Sequence, residues 1–103
     1  MNDEKGRTEV ININVIQATM TYSKEDGYVG NVQFGVEGHK NEYEIALHSK
    51  RGKEWGYGLF FLHESGKEEE LLALEDLLEE DDELFDFFID TAKEKLVKDE
   101  KQE

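Results

Sequence analysis

The sequence predicts an α+β domain. A four-stranded antiparallel β-meander covers about residues 8–22, 28–36, 42–48 and 55–63, and one or two C-terminal helices, about 66–80 and 82–97, pack on one of its faces. Three observations carry this prediction. Four runs in the first two-thirds of the chain alternate apolar and polar residues with period two, as half-buried strands do. Turn signals containing glycine separate those runs at hairpin lengths. The last third then switches to leucines and phenylalanines three and four apart, the spacing of an amphipathic helix. At 103 residues the chain has the size of a single domain over 1–103, with an ordered core over about 8–97 and polar, flexible ends.

The first strand places Ile11, Ile13 and Val15 on one parity and Ile16, Ala18, Met20 and Tyr22 on the other. A change of phase within one run predicts a bulge near 15–16, or a strand covered on both faces. Asp26-Gly27 then marks a hairpin turn. In the second strand Tyr28, Val32, Phe34 and Val36 point inward and Asn31 and Gln33 outward. A turn over Gly38–Asn41 leads to the third strand, with Tyr43, Ile45 and Leu47 inward. After the loop at 50–54 the fourth strand aligns Trp55, Tyr57, Leu59 and Phe61.

Pairing Tyr22 with Tyr28 sets Ala18 opposite Val32 and Ile16 opposite Phe34. Pairing Val36 with Tyr43 sets Phe34 opposite Ile45, and the 50–54 loop sets Ile45 opposite Leu59 and Leu47 opposite Tyr57. All these rows fall on one face of the meander, a consistency that no single hairpin imposes.

Ser65-Gly-Lys-Glu68 reads as a capping box that opens the first helix. Leu71, Leu74, Leu77 and Leu78 follow at helical spacing. The second helix begins near Asp81 or Asp82 and carries Leu84, Phe85, Phe88, Ile89, Ala92 and Leu96. One continuous bent helix is the alternative.

Charge separates the function classes. The net charge is −14, and residues 64–90 hold thirteen acids against one base, Lys67. Such a field repels nucleic acid and anionic lipid within a Debye length of about 8–10 Å, and it draws in basic surfaces. Neither direct nucleic-acid binding nor membrane binding is expected. The chain contains no cysteine, which excludes disulfides, zinc–thiolate sites and thiol catalysis and fits a reducing compartment. The charged start has no apolar stretch of the signal-peptide kind, and the longest apolar run, Leu59–Leu62, is far below the ~20 residues that span a bilayer. The expectation is a soluble cytoplasmic protein.

The segment EDLLEEDDELFDFFID, residues 75–90, concentrates eight carboxylates in its first twelve positions without a base. One reading is a solvated helix face and junction in which Asp81 or Asp82 serves as N-cap. The other is a docking surface. In it Glu79, Glu80, Asp81, Asp82, Glu83 and Asp86 orient a basic partner and Phe87 adds an apolar contact inside a charged rim. Five consecutive carboxylates repel one another, and local folding gains only one cap from them. The same acids fail the calcium-loop pattern, which needs a glycine at the turn.

Other chemistry finds little material. His39 and His63, with Glu64, make at most a partial metal site that lacks a well-placed third ligand, and His48 lies toward the other end of its hairpin. His48 and Ser49 are adjacent on a strand and point to opposite faces, so they assemble no triad. Gly56 and Gly58 sit mid-strand and not in a phosphate loop. Lys50, Arg51 and Lys53 form a basic hairpin tip that balances charge. Phe60 and Leu62 have the outward parity on the fourth strand. A helix wrapping that edge is the expected cover, and a homodimer contact that includes Val29 is the alternative.

The function read from the sequence is therefore a non-enzymatic, cofactor-free module. As a monomer or homodimer it docks its acidic helical surface on a basic protein, possible partners being a nucleic-acid enzyme whose groove the acids occupy or a basic toxin. The alternative is a small structural domain whose acidity serves solubility alone.

Overall fold

A computed structural model describes residues 12–63 and 66–96. The start of the first predicted strand, Ser65 of the capping box, the last residue of the second predicted helix and both polar ends lie outside these residues. The elements are β1 (Ile13–Ser23), β2 (Gly27–Val36), β3 (Glu42–Ser49), β4 (Gly56–Phe61), α1 (Glu68–Glu80) and α2 (Asp82–Lys93). The strands form one antiparallel sheet in the order β1-β2-β3-β4. The α+β meander with two C-terminal helices on one face is the architecture that the alternation and the helical spacing predict.

The β1–β2 turn closes on Gly27, which adopts φ 77°, a conformation open to glycine at little steric cost. Tyr22 faces Tyr28 and Ala18 faces Val32, as expected. The register shifts between Val15 and Gln17, so Ile16 is the extra residue of a bulge and Val15, not Ile16, faces Phe34. The bulge absorbs the change of phase: Ile13 and Val15 pair with Val36 and Phe34, Ile13 packs on the core, and Val15 and Ile16 are 38% and 46% exposed.

The β2–β3 register also differs from expectation. Phe34 faces Tyr43 and Val32 faces Ile45, two residues away from the expected pairing. The chain reverses at Glu37–Gly38, where the His39 N–H donates to the Val36 carbonyl at 2.9 Å. It then needs residues 39–41 before Glu42 can meet Gly35. A slip of two preserves parity, so the inward set is unchanged. The β3–β4 register is as expected, with Ile45 opposite Leu59 and Leu47 opposite Tyr57.

The inward rows and the helices share one core. Val32, Phe34, Tyr43, Ile45 and Leu47 are buried beneath Leu74 and Leu78 of α1 and Phe88, Ile89 and Ala92 of α2. The Phe88 ring sits 4.6 Å from that of Phe34. α2 crosses β1 and β2, while α1 packs against β4 and α2.

The expected cover over Phe60 is absent among the described residues. Both helices lie on the inward face, and Phe60 is 55% exposed, with Leu62 half-buried. Two helices, not one bent helix, follow the sheet, because Asp81 is extended at φ −113° and ψ 95°.

The start of α1 corrects the capping-box expectation. Its N-cap is Lys67, without a side-chain cap. Lys67 is extended at φ −82° and ψ 113°, and Gly66 before it passes close to the Asn41 side chain. The acids Glu68, Glu69 and Glu70 occupy the first turn instead, where the helix dipole favours negative charge.

Candidate functional site

The α1–α2 junction divides the predicted docking residues into two groups. The first is structural. Asp81 is the N-cap of α2: its carboxylate accepts from the Glu83 and Leu84 backbone N–H groups at 3.1 and 3.2 Å. Its φ and ψ are those of an N-cap, and Asp is among the residue types preferred there. Glu79 accepts a hydrogen bond from the Tyr57 hydroxyl at 3.0 Å, fastening the end of α1 to β4. Burial, then the Glu79 bond, and then the charges of Glu79, Glu75 and Asp76 push the Tyr57 phenol up to about 12. All of these causes disfavour a phenolate.

The second group faces solvent. Glu80, Asp82, Glu83 and Asp86 are exposed, and among the described residues no lysine or arginine pairs with them. Glu83, Asp86, Phe87 and Asp90 are spaced three and four apart on α2, so they form one stripe about 6 Å per turn. Phe88 and Ile89 point the other way and are buried. Phe87 is 40% exposed and meets Phe88 edge-on at 5.3 Å. It is thus an exposed aromatic side chain that touches the core through Phe88 and shares its stripe with Glu83, Asp86 and Asp90.

The histidines take separate partners. His63 Nε2 lies 3.2 Å from Glu42 Oε1. His39 Nδ1 shares a 2.7 Å hydrogen bond with the Tyr43 hydroxyl and lies 3.8 Å from Glu70 Oε1. Among the described residues that buried Glu70 oxygen has no hydrogen-bond partner, and burial, followed by the Glu70 charge, raises the Tyr43 phenol. Sequence reasoning missed this His39–Tyr43–Glu70 contact. The missing information was the depth at which α1 starts, which no local motif encodes. Among the described residues no group of three or more His, Cys, Asp or Glu side chains is arranged to hold a metal ion.

Ser23 and Ser49 serve turns. Ser23 Oγ accepts from the Asp26 N–H at 3.0 Å, and the buried Ser49 Oγ accepts from the Gly52 N–H at 2.8 Å. At the basic tip, Lys50 Nζ donates to the Glu25 carbonyl at 2.6 Å. Among the described residues no helix is long and apolar enough to cross a membrane. No family model, curated protein or solved structure matches the chain.

Proposed function

We propose that the protein is a non-enzymatic docking or inhibitory module. It engages a basic protein surface through the α1–α2 junction and the exposed stripe of α2. One observation carries the reading: Glu80, Asp82, Glu83 and Asp86 are exposed and have no lysine or arginine partner among the described residues, and Glu83, Asp86 and Asp90 share the α2 stripe of the half-exposed Phe87. In this mechanism the carboxylates steer the encounter and set orientation, and Phe87 supplies the desolvated contact. The partner is a protein with a basic groove, such as a nucleic-acid enzyme whose groove the acids fill in place of a phosphate backbone, or a basic toxin. Nucleic acid and anionic membrane are repelled by the same field. The cysteine-free composition fits a reducing cytoplasm. Phe60 and Leu62, on the outer sheet face that no described element covers, are the contact a homodimer would use.

The test uses a variant carrying Glu80→Gln, Asp82→Asn, Glu83→Gln and Asp86→Asn, which spares the structural Glu79 and Asp81. Wild type and variant are immobilised side by side and exposed to host lysate at low and high salt. Each captured protein is identified by mass, purified and titrated against both forms. A basic protein that binds wild type at low salt and loses at least tenfold affinity for the variant establishes docking. Identical capture by both forms, or none, means that the acids serve solubility and the docking reading is wrong.

A further inference from the structure

The two edges of the sheet are treated differently. On β1, the chain leaving α2 makes a parallel bridge from Leu96 to Met20. On β4, no described element lies beyond the strand. The Leu62 N–H donates to the Glu42 carbonyl at 2.9 Å. With the regular β3–β4 register, this directs the backbone groups of Phe60, Gly58 and Gly56 toward β3 and those of Tyr57, Leu59 and Phe61 outward.

β4 also lacks what usually protects an edge. Gly56–Phe61 contains no charge and no proline, and its pairing with β3 contains no bulge. Its outer face presents the exposed ring of Phe60, which lies over Gly58.

The helix above this edge is acidic. α1 runs back over β4, since Glu70 lies near Tyr43 while Glu79 bonds Tyr57. Helical spacing sets Glu68, Leu72, Glu75 and Glu79 on one flank, the flank that the Tyr57–Glu79 bond turns toward β4. Glu70 and Leu77 lie on the opposite flank. Leu72 is 54% exposed. From 68 to 79 the flank is about 16 Å long, close to the about 16 Å rise of the six residues of β4.

We propose that β4 accepts an extended basic segment of a partner protein as a fifth, antiparallel strand. This deepens the docking reading above and rests on it. The segment's inward residues bond to the backbone of Tyr57, Leu59 and Phe61, and their side chains point toward α1. Lysines or arginines at alternate positions stand about 7 Å apart and meet Glu68, Glu75 and Glu79. Apolar residues between them lie beside Phe60 on the outer face. Charge selects this occupant over a second copy, because a two-fold β4–β4 pair brings two acidic α1 flanks together in chains that each carry −14.

The probe is a blocked nine-residue peptide of alternating Lys and Val, titrated at low ionic strength. Two isomers keep the charge: one is N-methylated at every lysine amide, the other at every valine amide. Lysines facing α1 place their own amides on the β4 edge. Lysine methylation is therefore expected to weaken binding about tenfold or more, while valine methylation leaves it nearly unchanged. The parent peptide also slows hydrogen exchange at the Tyr57, Leu59 and Phe61 amides. Combined Glu68→Gln and Glu75→Gln, which spares the Tyr57–Glu79 bond, lowers its affinity without unfolding the chain.

Equal binding of both isomers means docking by charge alone and overturns the strand pairing, leaving the acidic surface of α2 in place. Protection of the three amides that rises with protein concentration in the absence of peptide puts a second copy on the edge and overturns it too. Failure of the docking reading is scored separately, in the Glu80, Asp82, Glu83 and Asp86 variant.

Discussion

Tyr57 and Glu79 show what a single hydrogen bond contributes where an acidic helix meets a sheet. The bond fastens α1 to β4, and burial, then this bond and the neighbouring carboxylates push the phenol up to about 12. In the unfolded chain the same phenol titrates near 10. The fold thus holds a proton that the unfolded state releases, and this stabilisation is complete below about pH 10 and is lost as the pH rises toward 12. Tyr57→Phe removes the bond and the titration together. Thermal unfolding of wild type and variant between these pH values should give two curves that converge as pH rises, and a constant gap would mean that the fold does not hold the phenol's proton. At Asp81 the expected effect is simpler. Asp81→Ala leaves the Glu83 and Leu84 N–H groups without their cap and costs about 1 kcal/mol in urea unfolding, whereas Asp81→Asn costs less. Asp81 was readable in sequence because capping is local chemistry. The Tyr57–Glu79 and His39–Tyr43–Glu70 contacts were not, because each joins residues brought together only by the path of α1 across the sheet.

α2 shows how one helix separates packing from recognition. Phe87 and Phe88 are neighbours, yet Phe88 is fully buried against Phe34 while Phe87 stands at the margin. Phe88→Ala should cost about 3–5 kcal/mol, through lost transfer energy and the cavity left behind. Phe87→Ala should cost about 1 kcal/mol or less, since much of the ring is already hydrated. Denaturant midpoints of the two variants check this, and an equal loss would mean that Phe87 belongs to the core and is no anchor for a partner. This division was legible from the three-and-four spacing alone. The strands were legible in the same partial sense. Parity identified the inward rows of β2, β3 and β4 because side chains alternate strictly, but in β1 the bulge leaves Ile16, expected inward, 46% exposed, and parity cannot register a slip of two. The Val36–Asn41 turn accordingly moved Tyr43 from Val36 to Phe34 without changing what is inside. The capping box placed the start of α1 two residues too early, since the N-cap is Lys67; a local motif does not record where the chain passes Asn41 on its way onto the sheet.

At the scale of the whole molecule, a −14 chain is held together against its own charge. Self-repulsion favours the more expanded unfolded state, so added salt should raise the melting temperature, most steeply at low ionic strength. The contribution of each acid depends on its place in the fold. Asp82 and Glu83 sit in the first turn of α2, where the helix dipole returns about 0.3–1 kcal/mol and offsets their repulsion. Glu80 ends α1, where dipole and neighbouring carboxylates both oppose it. Glu80→Gln should therefore stabilise the protein by about 0.3–1 kcal/mol at low salt, with Asp82→Asn and Glu83→Gln near neutral. The gain should disappear toward 1 M salt, where the Debye length is about 3 Å. Melting curves of the three variants across a salt series decide it: a gain at Glu80 that persists in high salt would trace to helix propensity and not to charge. If the expected pattern holds, Glu80 opposes folding, and the docking proposed above is what retaining its charge would serve.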